Sequence, residues 1–128
     1  MKTDIVGRAD IEKILVEFYE SAMSDADIGH HFVELNLSSH LPIITDFWEK
    51  VLFGKPVYFG NPLAIHRELH LKNEITSGHF DRWLEIFYAV VDGHFAGDMA
   101  ETAKMRAKAI AESLMQRLGG DAVIQRGR

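Results

Sequence analysis

The chain is organised around two segments that read YFGNPLAIHRELH from residue 58 to residue 70 and HFDRWLEIFY from residue 79 to residue 88. Together they hold three of the seven histidines and one of the two tryptophans. The first segment opens on a Gly60-Asn61-Pro62 turn, and the second has aromatic residues spaced three and four apart. Helical periodicity beside several imidazoles indicates that this region sets both the fold and the chemistry.

Caps and breakers divide this half of the chain into helices. Asn61 can cap a helix whose first position is Pro62, because proline lacks the N–H that would be unpaired there. Gly119 and Gly120 follow the last apolar stripe and are predicted to end its helix. The predicted helices of this half cover residues 62–70, 77–95 and 98–118.

Two further helices are predicted upstream, over residues 10–24 and 37–53, from apolar residues at three- and four-residue spacing. No segment alternates with period two, so an all-α fold is predicted. The length fits one domain, which we place at residues 1–120. Residues 121–128 have little to pack and are predicted to form a disordered tail.

Composition excludes several functional classes. The 128 residues contain no cysteine, which excludes disulfides, thiolate catalysis and cysteine-ligated metal sites. The net charge of −5 argues against nucleic acid or an anionic membrane as a partner, because both attract clustered Lys and Arg. No signal peptide and no apolar run of membrane-spanning length is visible, so a cytoplasmic protein is expected.

The histidines differ in the sites they could form. His66 and His70 are four residues apart and share a helix face, a weak signal for a metal pair because no carboxylate is placed to complete it. His30 and His31 are adjacent and point in different directions, so they are predicted to be solvated. His40 stands at the start of an apolar stripe, where a half-buried structural histidine is the plainer interpretation.

A set of motifs recurs in a fixed order across residues 10–118. They are Phe18-Tyr19, Phe32, His40, Phe47-Trp48, Tyr58-x-Gly60-Asn61-Pro62-Leu63-x-x-His66 and Phe80-x-x-Trp83-Leu84. Each motif is short, but their order and spacing together resemble the truncated haemoglobins, and within them the third group. The resemblance implies a globin-like, two-over-two helical sandwich that encloses one haem b (iron protoporphyrin IX).

The resemblance also implies a proximal iron ligand. His66 matches the Pro-Leu-x-x-His run and lies at the expected distance from Trp48. Counted back from Phe80 and Trp83, His70 fits the position instead. We take His66 as the predicted ligand and keep His70 as the alternative.

The opposite, distal side would carry polar groups that face a bound ligand. The Tyr19 hydroxyl and the Trp83 indole N–H are hydrogen-bond donors suited to a ligand with partial negative charge. His40 would donate to the ligand, act as a gate or coordinate the iron itself. The cofactor-binding residues that the resemblance implies, besides His66, are Tyr19, His40, Trp83, Phe32, Phe47 and Trp48.

The resemblance implies a haem protein that binds dioxygen, nitric oxide, carbon monoxide or another small ligand. Haem-dependent dioxygenase or peroxidase activity and a reductase partner are further expectations. One alternative is a cofactor-free helical binding or regulatory module in which Trp48 and Trp83 are only core residues. Another is a non-haem metal site at His66 and His70.

Overall fold

The computed structural model describes the backbone of residues 1–126 and the side chains of residues 1–118. The elements in chain order are α1 (Arg8–Met23), the short 3₁₀ helix η1 (Gly29–Phe32), α2 (Leu37–Phe53), α3 (Pro62–Lys72), α4 (Ser77–His94) and α5 (Asp98–Arg126). No strand forms in this part of the chain, which confirms the predicted all-α class. None of its helices has the length and apolar character that crossing a bilayer requires.

Two helix pairs form the body of the fold. Helix α1 packs against α2 and α4, α4 packs against α5, and α2 and α3 also contact α5. The apolar stripes of α1 and α4 meet in the centre, where Phe18, Phe87 and Val91 are buried. Burial of two apolar faces against each other is what makes a layered helical domain stable. The predicted two-over-two sandwich is thereby confirmed.

A stripe of alanines lets α5 lie close to its neighbours. The buried positions recur three or four residues apart at Ala100, Ala103, Ala107 and Ala111. Alanine has high helix propensity and little bulk, so the large side chains of the facing helices fill the space between the backbones. Long-range packing thus explains why the buried face of α5 is apolar but carries few large side chains along this stripe.

An ion-pair cluster fixes α1 to α2. The Arg8 Nη1 atom donates to Asp46 Oδ1 at 2.7 Å and to Glu49 Oε1 at 2.5 Å, and Lys55 adds a contact to Glu49 at 3.3 Å. Hydrogen bonding to Arg8 is the main reason that the pKa of Glu49 is lowered. This cluster matters for function because α1 and α2 each carry one of the predicted distal residues.

The N-terminal segment caps α5. The Asp4 carboxylate accepts the backbone N–H of Met99 at 2.9 Å and of Ala100 at 2.8 Å. Gly97 lies against the Asp4 side chain. Its φ is 140°, and an added Cβ would lie 2.6 Å from the Asp4 Cγ atom. Only glycine fits this position, since both its backbone angle and its lack of a side chain are required.

Helix α5 continues past Gly119 and Gly120 to Arg126, so the predicted end of the last helix at these glycines is wrong. Glycine costs a helix about 1 kcal/mol relative to alanine, which weakens a helix without excluding it. The side chains of residues 119–128 lie outside the described part of the structure. The predicted disordered tail over residues 121–128 and the domain boundary before it therefore stay predictions.

Candidate functional site

Helix α3 holds His66 in one defined ring orientation. The Asn61 side chain accepts the N–H of Ala64 at 3.1 Å, and Pro62 takes the first helical position, as the sequence predicted. His66 Nδ1 lies 2.7 Å from the Pro62 carbonyl oxygen. A carbonyl can only accept, so Nδ1 carries the proton and Nε2 keeps its lone pair. This arrangement directs a basic nitrogen away from the helix and orients it for a metal.

His70 has the opposite arrangement. Its Nδ1 accepts the backbone N–H of Ile75 at 3.0 Å, which closes the loop after α3. Because Nδ1 uses its lone pair here, the proton of the neutral ring lies on Nε2. Ligation through Nε2 would require this proton to be lost or moved. The two predicted alternatives therefore differ in which nitrogen is available.

Tyr19 and His40 form a polar pair inside the aromatic core. The Tyr19 hydroxyl lies 3.1 Å from His40 Nε2, and the ring centroids are 5.5 Å apart. Tyr19 is buried and makes edge contacts with Phe18 at 5.2 Å and with Phe32 at 5.9 Å. Helices α1 and α2 and the 3₁₀ helix η1 each supply one wall of this pocket.

His40 and the neighbouring His66 are both neutral at physiological pH. Burial lowers the pKa of His40, and repulsion from His66 lowers it further. Burial also lowers the pKa of His66, although its hydrogen bond to Pro62 acts in the other direction. Burial raises the pKa of Tyr19, so its hydroxyl stays protonated. The electrostatic interaction between His40 and His66 means that α2 and α3 bring these two imidazoles near each other.

Stacked aromatic rings join Trp83 to the core. Phe87 is stacked with Trp83 at 5.4 Å and with Trp48 at 5.1 Å, and Phe18 meets Trp83 edge-on at 5.3 Å. Trp48 is only 4% exposed and belongs to the central core. The Trp83 indole N–H has no hydrogen-bond partner among the described residues, so it is available to another group.

The connector before α3 closes around Tyr58. Its ring is buried and meets Phe47 edge-on at 5.2 Å. A Cβ on Gly60 would lie 2.5 Å from the Tyr58 hydroxyl oxygen, so a larger residue there would displace the ring. The Tyr58-x-Gly60 spacing seen in the sequence thus has a steric reason. It also sets where α3, and with it His66, begins.

The donor set fits the haem that the resemblance implies. A neutral imidazole with a free Nε2 and a backbone partner on Nδ1 is suited to ligate haem iron. Tyr19, His40 and the Trp83 N–H supply polar groups, and aromatic side chains supply apolar surface. A buried hydroxyl paired with a half-buried neutral imidazole in an aromatic pocket suits a small ligand of partial negative charge.

The structure brings together a third set of histidines that spacing did not indicate. His31 Nε2 lies 3.2 Å from His79 Nδ1, although the residues are 48 positions apart. His31 is half-buried, so its predicted solvation is wrong, whereas His30 is exposed as predicted. Helical periodicity cannot predict a contact between η1 and the first turn of α4, because the two elements are distant in sequence.

Comparison with known proteins extends this description. The family model described as bacterial-like globin matches residues 3–117. The group 3 truncated haemoglobin ctb of Campylobacter jejuni is 26% identical over 129 residues, covering 94% of this chain and 99% of that protein. The crystal structure of group III truncated haemoglobin from Campylobacter jejuni matches with a TM-score of 0.82 and 27% identity, covering 92% of this chain and 95% of that chain. The predicted resemblance to a group III truncated haemoglobin is confirmed, and the chain belongs to the bacterial-like globin family, whose membership implies a haem cofactor and a small ligand.

Proposed function

We propose that the chain binds one haem b through His66 and holds dioxygen, nitric oxide or carbon monoxide beside Tyr19, His40 and Trp83. The observation that carries this proposal is the 2.7 Å hydrogen bond between His66 Nδ1 and the Pro62 carbonyl. It leaves Nε2 as the free nitrogen, whereas the Nδ1 lone pair of His70 is already used by Ile75. When bound, haem supplies the iron centre at which a small ligand is held and electrons are exchanged.

His66 orients the cofactor in this proposal. The hydrogen bond that His66 Nδ1–H donates to the Pro62 carbonyl fixes the ring about its Cβ–Cγ bond. The same hydrogen bond polarises the imidazole and so raises the basicity of Nε2. Burial keeps the ring neutral, as ligation requires. The turn at Gly60 and the cap at Asn61 fix the position of this helix start.

Tyr19, His40 and Trp83 supply the polar face. The Tyr19 hydroxyl lies 3.1 Å from His40 Nε2, so in the tautomer that carries its proton on Nε2, His40 donates to the Tyr19 oxygen and the Tyr19 hydroxyl is free to donate toward a ligand. The unpartnered indole N–H of Trp83 is a further donor. Each such hydrogen bond is worth about 0.5–1.5 kcal/mol. Their combination favours tight holding or activation of the ligand over rapid delivery.

The proposal extends to chemistry on nitric oxide or peroxide, with haem-dependent dioxygenase or peroxidase activity and electrons from a reductase. Three polar groups around one ligand position support activation, since developing charge would find donors already in place. A cytoplasmic setting and the absence of nucleic-acid or membrane partners belong to the same proposal. The net charge of −5 supports these two absences.

Visible spectra of histidine variants test the assignment. Haem added to the purified chain should give a Soret band and distinct ferric, ferrous and carbon monoxide spectra. The His66→Ala variant should lose the ferrous five-coordinate signature, because no other free imidazole nitrogen is oriented on α3. Added imidazole should restore ligation in His66→Gly. Far-ultraviolet circular dichroism checks that each variant is folded.

His70→Ala is the matched control, since it removes an imidazole from the same helix. It should retain the wild-type spectra and the haem affinity within about twofold. A spectrum lost in His70→Ala but kept in His66→Ala would reverse the assignment. A wild-type chain that takes up no haem and is not stabilised by it would instead support the cofactor-free helical module. Metal found without porphyrin would support the non-haem site at His66 and His70.

A further inference from the structure

Three histidines meet where η1 packs beside the first turn of α4. One ligand nitrogen from each of His30, His31 and His79 lies within 4.8 Å of the other two. The ring centroids of His30 and His31 are 4.0 Å apart, and His79 lies 5.3 Å and 4.9 Å from them. Two of the three rings are half-buried and the third is exposed, so the cluster opens to solvent on one side. None of these residues belongs to the proposed haem site.

The hydrogen bonding of His31 is incomplete. Its Nδ1 atom is buried and has no partner among the described residues. Its Nε2 atom contacts His79 Nδ1, a nitrogen that already accepts the backbone N–H of Thr76 at 3.1 Å. Buried polar atoms in proteins are nearly always satisfied, so the unpartnered Nδ1 of His31 is an exception.

The spacing suits a tetrahedral metal ion. Two imidazole nitrogens bound to zinc at about 2.0–2.1 Å lie about 3.3 Å apart at the tetrahedral angle. His31 Nε2 and His79 Nδ1 are 3.2 Å apart. The ligand nitrogen of His30 lies within 4.8 Å of the other two, and its exposed ring would move closer to complete the coordination. Water would take the fourth position on the open side.

The protonation states also suit a metal. Burial, together with repulsion from the nearby His30, His79 and His70, lowers the pKa of His31 to about 4, so the ring is neutral at pH 7. Neutral imidazole is the form that ligates. Imidazoles without thiolates or carboxylates select zinc, copper or nickel over magnesium or calcium.

Metal binding requires two local changes. His79 Nδ1 would give up the N–H of Thr76, which is exposed and can bond to water. The other half of the α4 cap, from the His79 N–H to the Thr76 hydroxyl at 3.2 Å, is unaffected. The cost is therefore one solvent-replaceable hydrogen bond at a helix start and a shift of the His31 proton from Nε2 to Nδ1.

From these observations we infer that His30, His31 and His79 form a binding site for one divalent transition-metal ion, with zinc the best match. The site ties η1 to α4 and is separate from the haem ligand. It stands on the geometry of the three rings and does not depend on the proposed function. Its consequence is a metal-dependent rise in stability, because the ion bridges two elements that are far apart in sequence.

Zinc titration of the full chain tests this site. The protein is prepared without a polyhistidine tag, stripped with a chelator and titrated calorimetrically with zinc chloride at pH 7. One equivalent should bind to the wild type, and His30→Ala and His79→Ala should each weaken binding at least tenfold. Zinc should raise the melting temperature of the wild type and not of His30→Ala. X-ray absorption at the zinc edge should show imidazole scattering at about 2.0–2.1 Å.

His94→Ala is the matched control. His94 is also on α4 and pairs with Glu17, away from the cluster, so its removal should change zinc affinity by less than twofold. His30 is exposed and its replacement should not affect folding, so His30→Ala decides the question if His79→Ala fails to fold. Wild-type binding that equals His30→Ala binding, or an absorption spectrum without imidazole, would overturn the inference.

Discussion

The Tyr19–His40 pair is the most informative contact between individual side chains. A buried hydroxyl and a half-buried imidazole satisfy each other at 3.1 Å in an otherwise aromatic environment. Burial raises the pKa of Tyr19 and lowers that of His40, so both groups are neutral over the same wide pH range. Neutral donors keep their hydrogen-bonding role without the desolvation cost of a buried charge.

Tyr19→Phe should weaken retention of a bound ligand in the haem-loaded chain. The change removes one donor and little volume, so we expect dissociation of dioxygen to become about two- to tenfold faster, the equivalent of one hydrogen bond. Stopped-flow displacement of dioxygen by carbon monoxide measures this rate. Tyr88→Phe, a partly buried tyrosine of the same core, is the control and should leave the rate unchanged. A slower rate in Tyr19→Phe would mean that the hydroxyl opposes ligand binding.

Individual histidines mark the limit of what the sequence could predict. Periodicity placed His66 and His70 on one helix face but could not separate them, because their difference lies in the partner of Nδ1. His66 bonds four residues back along its own helix, whereas His70 meets a residue of the following loop. The contact of His31 with His79 lay wholly outside local reasoning, since it joins two elements through the fold.

Among the helices, α3 depends most on its own capping. None of its side chains is fully buried, and it contacts α5 rather than the centre of the core. Its cap at Asn61 and its start at Pro62 were predictable, because both act within one turn. The cap of α5 was not, since Asp4 reaches it from the other end of the chain. Local chemistry is visible in a sequence, and long-range capping is not.

Asn61→Ala should loosen the helix start that positions His66. Loss of the cap costs about 1 kcal/mol and should increase fraying of the turn that includes the Pro62 carbonyl. Haem loss to an excess of a haem-free acceptor protein should become up to about fivefold faster. The rate is followed by the change in the Soret band during transfer.

Asp4→Ala controls for stability in general. It removes two backbone hydrogen bonds from the start of α5, at 2.9 Å and 2.8 Å. The free energy of unfolding should fall by about 1 kcal/mol, as for loss of the Asn61 cap, and the melting temperature should fall with it. Its effect on haem loss should be smaller than that of Asn61→Ala, because Asp4 does not contact α3. Equal acceleration in both variants would show that global unfolding, rather than the α3 start, controls haem loss.

Across the chain as a unit, several groups that titrate in the acid range have lowered pKa values. Burial lowers the pKa of three histidines, His31, His40 and His66. The pKa of Glu49 is also lowered, mainly by Arg8, which holds α1 to α2. All four groups bind protons more weakly in the folded state than in the unfolded state. Acid should therefore act on the distal pocket, the start of α3 and the α1–α2 contact together.

Stability should fall as the pH is lowered from 7 toward 4. In the unfolded chain a histidine takes up its proton near pH 6.5, whereas folded His31 does so at about 4. Between these values the unfolded state binds more protons, so the free energy of unfolding decreases by about 1.4 kcal/mol per pH unit for each full excess proton. Urea unfolding at pH 7.5, 6.5, 5.5 and 4.5 in the presence of a chelator measures the slope. His31→Gln cannot take up this proton, so its stability should decline less steeply over the same range. A slope identical to wild type would mean that His31 is protonated equally easily in both states, which would require water to reach its buried Nδ1 atom.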